Sequence, residues 1–212
     1  MGRTLYKSQS EAIRNLKVGD IIMVDTKGIL IPRLIRSVTH SCWSHVAMVF
    51  DVPPISGTEH DVLIVEANAD GIEVHRLNSY LKSPEKYVLG FKRLKNLTDI
   101  ERERFRGFFL DAVDTPYDLG RIFAFLVQSI VLWTVGMNIQ FTMARKVINT
   151  QNYICTTFAQ RAFYLAVAPE KRGQILFRND QDTPNFLHQV EEVSPADVAR
   201  SKNTVWLFNE RY

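Results

Sequence analysis

The stretch HSCWSHVAMVF, residues 40–50, contains a cysteine and a histidine three positions apart, followed by an unbroken apolar run. Residues 46–50 are apolar at every position, which is typical of a strand covered on both faces. His45 therefore stands at the start of a predicted buried strand. A general base must be held rigidly near the group it serves, and this position allows that. Read alone, His45 can equally be a surface histidine at a strand end.

The pattern of the sequence predicts strands first and helices later. Turn signals at Gly19-Asp20, Lys27-Gly28 and residues 68–71 separate short β-rich runs. The predicted strands are residues 21–24, 46–50, 62–67, 72–77, 87–94 and 203–208. The predicted helices are residues 100–113, 155–167 and a short capped segment after Ser194. This order predicts an α+β fold in which an antiparallel β-sheet or barrel packs against helices.

Composition favours one domain over residues 1–212, since 46% of the 212 residues are hydrophobic. With 26 basic and 23 acidic side chains, a net charge of +3 gives no reason to expect a nucleic-acid partner. Two cysteines cannot form a disulfide framework, and the polar N-terminus lacks the apolar core of a signal peptide. We therefore expect free thiols and a cytoplasmic location, with membrane association left open.

Cys155 is the stronger candidate for a reactive thiol. It lies in NYICTTFAQRAF, residues 152–163, where the following residues favour a helix that begins at or just before the cysteine. Unpaired N–H groups and the positive end of the helix dipole favour the nucleophilic thiolate. The same N–H groups can hold an oxyanion. Alternatively, Cys155 is one more buried apolar side chain, as cysteines often are.

Glu66 ends the predicted apolar strand VLIVEAN. If this strand pairs with the one after His45, the carboxylate can orient the imidazole and stabilise its cationic form, as the third member of a catalytic triad does. The alternative is a glutamate at the solvated rim of the sheet.

Cys42 and His45 form a competing pair, but residues i and i+3 of an extended segment point to opposite faces. His40, Cys42 and His45 are also three possible zinc ligands. No Cys-x-x-Cys completes a structural site, although a catalytic zinc needs only three protein ligands. His75 and His188 have no context that distinguishes them from surface residues.

Several segments, taken in order, resemble the permuted papain-like cysteine amidases of the YiiX/YebB-like group, relatives of the NlpC-type cell-wall peptidases. These segments are LKVGDIIMVD, SHVAMVF, VLIVEANADGIEVHRL, YVLGFKRL, PYD and NYICTTFAQRAF. Ordinary papain-like enzymes have the cysteine before the histidine, whereas the permuted group has the cysteine helix late. The order His45, Glu66, Cys155 matches the permuted form, and the resemblance spans roughly residues 16–163.

This resemblance implies a role for each matching residue. Cys155 would be the nucleophile, His45 the general base, and Glu66 the residue that orients His45. Tyr153 matches a tyrosine often found two residues before the cysteine and would assist the oxyanion site. The implied reaction is hydrolysis of an amide, in a peptide or a lipid-linked amide, through an acyl-enzyme intermediate and without a cofactor or metal.

An apolar helical insertion at about residues 119–150 departs from the family pattern. Its centre, residues 122–137, is IFAFLVQSIVLWTVGM. As a helix it would be roughly 24 Å long, shorter than a membrane span. It is either a buried core helix or a peripheral contact with membrane or lipid, and the flanking Arg121 and Arg145-Lys146 suit the second reading.

Two alternative functions follow. The lecithin retinol acyltransferase group uses a similar histidine and cysteine to move acyl chains, so a lipid acyltransferase or thioesterase is one alternative. Its third polar residue is usually a histidine, whereas this chain has Glu66. The other is an inactive, membrane-associated binding module. Residues 174–192 are expected to form a surface loop, and the oligomeric state stays open.

Overall fold

The computed structural model describes residues 4–28, 30–53, 61–68, 71–112, 155–178, 190 and 193–211. Within these ranges the chain forms six strands: β1 (Ile21–Thr26), β2 (His45–Asp51), β3 (Leu63–Asn68), β4 (Gly71–Arg76), β5 (Tyr87–Leu94) and β6 (Thr204–Asn209). Its α-helices there are α1 (Gln9–Arg14), α2 (Leu30–Thr39), α3 (Asn78–Leu81), α4 (Asp99–Ala112), α5 (Cys155–Ala166), α6 (Arg172–Ile175) and α7 (Pro195–Arg200), with a 3₁₀ turn at Pro169–Lys171.

The six strands form one sheet in the order β4-β3-β2-β1-β5-β6, and every neighbouring pair is antiparallel. The predicted α+β fold with an antiparallel sheet is confirmed, and the predicted strand positions are correct to within a few residues. Strands β2 and β3 lie side by side, which is the pairing that the proposed role of Glu66 requires.

The helices cover the two faces of the sheet differently. On one face, α4 and α5 pack together over β2, and α5 also contacts β3. Their interlocking rings include Phe105, which stacks on Phe163 with ring centroids 4.6 Å apart. The opposite face is covered by Ala12 and Ile13 of α1, by Leu16 shortly after that helix, and by Tyr80 of α3. Replacing Phe105 or Phe163 with alanine is expected to cost about 3–5 kcal/mol of folding free energy.

The structure differs from the sequence analysis at α2 and at the beginning of residues 174–192. Helix α2 was not predicted, because Pro32 reads as a helix breaker although it is compatible with the first turn of a helix. The prediction of a surface loop at residues 174–192 is wrong at its beginning, since Ile175 and Phe177 are buried and only 3% and 1% exposed. The apolar insertion at about 119–150, including residues 122–137, lies outside the described residues.

In the part of the chain that the structure describes, none of the helices is both long enough and apolar enough to span a bilayer.

Candidate active site

Cys155 is the first residue of α5, as the sequence predicts, and its side chain is buried. At this position a thiol faces the unpaired N–H groups of the first helical turn. Burial acts to raise the pKa of the Cys155 thiol, but the charge and hydrogen bond of His45 outweigh it. The backbone N–H groups of Val46 and Thr156 contribute in the same direction, so the thiol pKa is lowered overall.

His45 is the first residue of β2 and has 19% of its side chain exposed. Its Nε2 lies 2.7 Å from Oε2 of Glu66, and its ring also hydrogen-bonds the Cys155 thiol. Since Nε2 is engaged by Glu66, Nδ1 is the nitrogen left for the sulfur. Burial acts to lower the pKa of His45, but Cys155 and Glu66 raise it well above its ordinary value. Both shifts favour the form in which Cys155 is a thiolate and His45 an imidazolium.

Glu66 lies on β3, where the antiparallel pairing of β2 with β3 brings it near the start of β2. Met48 pairs with Val65, so Glu66 comes opposite Ala47, two residues from His45 and on the same face of the sheet. Its side chain is 7% exposed and contacts Nε2 of the imidazole. The sheet-rim alternative for Glu66 is therefore wrong.

Two residues that the sequence analysis did not select complete the carboxylate's environment. Nε2 of His75 lies 2.7 Å from Oε1 of Glu66, and the Tyr80 hydroxyl donates to Oε2 at 2.5 Å. Burial acts to raise the pKa of Glu66, but the charge of His45 and the hydrogen bonds from His45, His75 and Tyr80 hold it well below its ordinary value. The carboxylate is thus ionised, with both oxygens occupied.

The prediction that His75 is an ordinary surface residue is wrong. The β3–β4 hairpin pairs Ile64 with His75 and Glu66 with Glu73, so His75 is a diagonal neighbour of Glu66 on one face. The turn at residues 68–71 was visible in the sequence and would have given this register. Tyr80 comes from α3, beyond the hairpin, and no local pattern indicates its contact with Glu66.

Most of the chain matches the model of a known protein family. A model of the family described as permuted papain-like amidase enzyme, YaeF/YiiX, C92 family, matches residues 15–208. The chain belongs to the permuted papain-like amidases. A search of curated proteins found no match. The resemblance in the sequence and the predicted fold are both confirmed, and the protein is a cysteine amidase in the general sense of its family.

In this amidase the remaining candidates lie elsewhere. Cys42 is half-buried and lines a separate pocket with Asp25 and Arg36. Burial raises the pKa of its thiol, which makes it less nucleophilic than Cys155 at neutral pH. Within the described ranges no three His, Cys, Asp or Glu side chains are grouped to hold a metal ion, and this holds for His40, Cys42 and His45. Tyr153 and His188 lie outside the described residues.

Proposed function

We propose that this amidase hydrolyses an amide bond with Cys155 as the nucleophile and His45 as the general base and acid. Glu66 orients His45 and favours its protonated form. The observation that carries the proposal is the continuous contact from the Cys155 thiol through His45 to Glu66. The lowered pKa of the thiol and the raised pKa of the imidazole support it, because both shifts favour the reactive ionic form.

In the acylation step, the Cys155 thiolate attacks the carbonyl carbon and forms a carbon–sulfur bond. The electron pair moves to the carbonyl oxygen and returns as the carbon–nitrogen bond breaks. His45, already protonated, gives its Nδ1 proton to the departing amine. The products of this step are a free amine, a thioester on Cys155 and a neutral imidazole.

In the deacylation step, neutral His45 removes a proton from water, and the hydroxide attacks the thioester carbon. The carbon–sulfur bond breaks and releases a carboxylic acid, the Cys155 thiolate and a protonated His45. Glu66 favours this cationic form because its carboxylate stays ionised 2.7 Å from Nε2. Each cycle therefore returns the pair to its starting state.

The developing oxyanion needs hydrogen-bond donors at the start of α5. The backbone N–H of Cys155, at the first described position of this helix, is suited to that role. Tyr153 is proposed to assist, on the strength of its position two residues before Cys155.

The proposed substrate is a peptide or a lipid-linked amide, and peripheral lipid contact through residues 122–137 is part of this proposal. The same triad can act on esters and thioesters, so the lecithin retinol acyltransferase type of activity remains the rival. Turnover of fatty-acyl esters in vesicles, with no hydrolysis of any aminoacyl or fatty-acyl anilide, would favour the rival.

The test compares Cys155→Ala with Cys42→Ala in the full chain. Each variant is assayed on aminoacyl and fatty-acyl anilides and is labelled with iodoacetamide, with the modified cysteine located by mass spectrometry. We expect Cys155→Ala to lose hydrolysis and rapid labelling, and Cys42→Ala to keep both. Rapid labelling confined to Cys42 would contradict the proposal.

A further inference from the structure

A basic pocket of about 620 Å³ opens at the end of the sheet where β1 ends, and it is unexplained by the amidase chemistry above. Its charged lining consists of Lys27, Arg33, Arg36, Arg211 and Asp25, and Cys42 forms part of its wall. The four cations come from three places in the chain: the end of β1, helix α2 and the segment after β6. The fold gathers them at one end of the sheet.

Asp25 organises two of the arginines. Its side chain is only 3% exposed, and its two oxygens accept hydrogen bonds from Arg36 and Arg211 separately. Arg36 also donates to the backbone carbonyl of Thr26 at 2.7 Å through the same terminal nitrogen. In the described part of the chain, each guanidinium therefore gives one terminal nitrogen to the protein and keeps its other N–H groups for a ligand.

The pocket holds more positive charge than its own residues neutralise. Four cations face one carboxylate, which leaves a surplus of three positive charges. Arg33 is exposed and forms no ion pair with any residue that the structure describes. The ammonium group of Lys27 donates a long hydrogen bond of 3.5 Å to the carbonyl of Pro84. A surplus of this size favours a dianion over a single carboxylate, and a phosphate monoester carries close to two negative charges at neutral pH.

The position of the pocket links it to Cys155. Val24 pairs with His45 across β1 and β2, so Asp25 follows directly at the strand end where His45 begins. Asp25 shares a face with Met23, which packs in the same core as Phe158 of α5. The pocket and Cys155 therefore lie on the same face and at the same end of the sheet.

We propose that this pocket binds a phosphate group of the substrate, placed so that the amide reaches Cys155. The part concerning the substrate rests on the proposed function. Arg36 and Arg211, fixed by Asp25, supply a preorganised pair of guanidinium groups, and Lys27 and Arg33 add charge at the rim. The phosphate belongs either to a soluble ester or to a lipid headgroup, since both present the same oxygens to the pocket.

Cys42 provides a reporter inside the pocket. In a Cys155→Ala background it is the remaining thiol of the chain, and its labelling by iodoacetamide can be followed alone. We expect inorganic phosphate to slow this labelling saturably, whereas sodium acetate at equal ionic strength has little effect. Glycerol 3-phosphate and phosphatidylcholine vesicles containing phosphatidic acid distinguish the two sources of the phosphate group.

Lys27→Ala with Arg33→Ala removes two cations without disturbing the Asp25 pairs, and we expect it to weaken protection by phosphate about tenfold or more. The matched control is Lys82→Ala with Arg104→Ala, which removes two exposed cations elsewhere and should leave protection unchanged. Absence of saturable protection, or equal loss in both double variants, would overturn the proposal.

A separate measurement distinguishes this proposal from the proposed function. With Cys155 restored, the Lys27/Arg33 double variant should still label rapidly at Cys155, since neither residue contacts the catalytic pair. Failure of Cys155 to label in the unmodified chain would contradict the proposed function alone, because protection of Cys42 does not depend on it.

Discussion

Nε2 of His45 and Oε2 of Glu66 lie 2.7 Å apart, and the same carboxylate accepts hydrogen bonds from His75 and Tyr80. Three donors on one buried carboxylate keep it ionised despite the cost of burial. The charge on Glu66 then favours the imidazolium form of His45, and the imidazolium favours the thiolate of Cys155. Glu66 therefore favours the thiolate through its effect on His45.

Glu66→Gln is the variant that removes this charge while preserving the shape of the side chain. We expect the pKa of His45 to fall, the pKa of the Cys155 thiol to rise, and kcat/KM for an amide substrate to fall about 10²-fold or more. The measurement is the pH profile of kcat/KM, whose acidic limb should move to higher pH as the thiol pKa rises. Glu73→Gln is the control, because Glu73 is exposed and bonded to the Asn68 side chain. Equal losses in both variants would contradict the role assigned to Glu66.

His45→Gln tests the ion pair directly through the reactivity of Cys155, in a Cys42→Ala background with one thiol. Losing the imidazolium removes the largest influence that lowers the thiol pKa, so labelling by iodoacetamide should require a higher pH. At pH 7 we expect labelling to slow about tenfold or more, since the thiolate fraction falls tenfold for each unit that the pKa rises. A labelling profile identical to that of the parent would show that the thiolate does not depend on His45.

His75→Gln addresses stability rather than chemistry. The hydrogen bond that His75 donates to Glu66 raises the pKa of His75 above its ordinary value of 6.5, against the effect of burial. A raised folded-state pKa contributes stability that is fully present below pH 6.5 and is lost as the pH rises through the folded-state value. The free energy of unfolding in urea should therefore differ most between parent and variant near pH 5.5, and the difference should shrink towards pH 8.5. A difference independent of pH would contradict the Glu66–His75 ion pair.

The sheet could be predicted from the sequence because its strands are short apolar or alternating runs between clear turn signals. His45 and Cys155 could be selected because each begins a predicted element. Glu66 could be selected because it ends the predicted apolar strand, and the order of the three matched a family. Helix α2 could not be predicted from the sequence, because Pro32 interrupts its helical pattern. Local pattern indicates where an element ends but gives little information about a helix with a proline in its first turn.

The contacts that sequence reasoning missed join distant parts of the chain. Tyr80 reaches Glu66 from α3, and its partner is set by tertiary packing rather than by spacing. Arg211 reaches Asp25 across 186 positions, because β5 and β6 follow β1 in the sheet. The periodicity of the sequence does not indicate the order of the strands in the sheet, so the basic pocket could be recognised only in the structure.

Gly90→Ala tests the packing of the sheet by adding one methyl group. Gly107→Ala, on an exposed helix surface, is its comparison. At Gly90, on β5, an added Cβ would lie 2.9 Å from ring atoms of both Trp43 and Trp206, so we expect a loss of about 1–3 kcal/mol. At Gly107, exposed on α4, nothing lies within 4 Å of the added Cβ. There alanine should gain about 0.5–1 kcal/mol, because it restricts the unfolded chain and favours the helix. Urea unfolding of both variants gives the comparison, and two shifts of the same sign would contradict the close approach of the two tryptophans to Gly90.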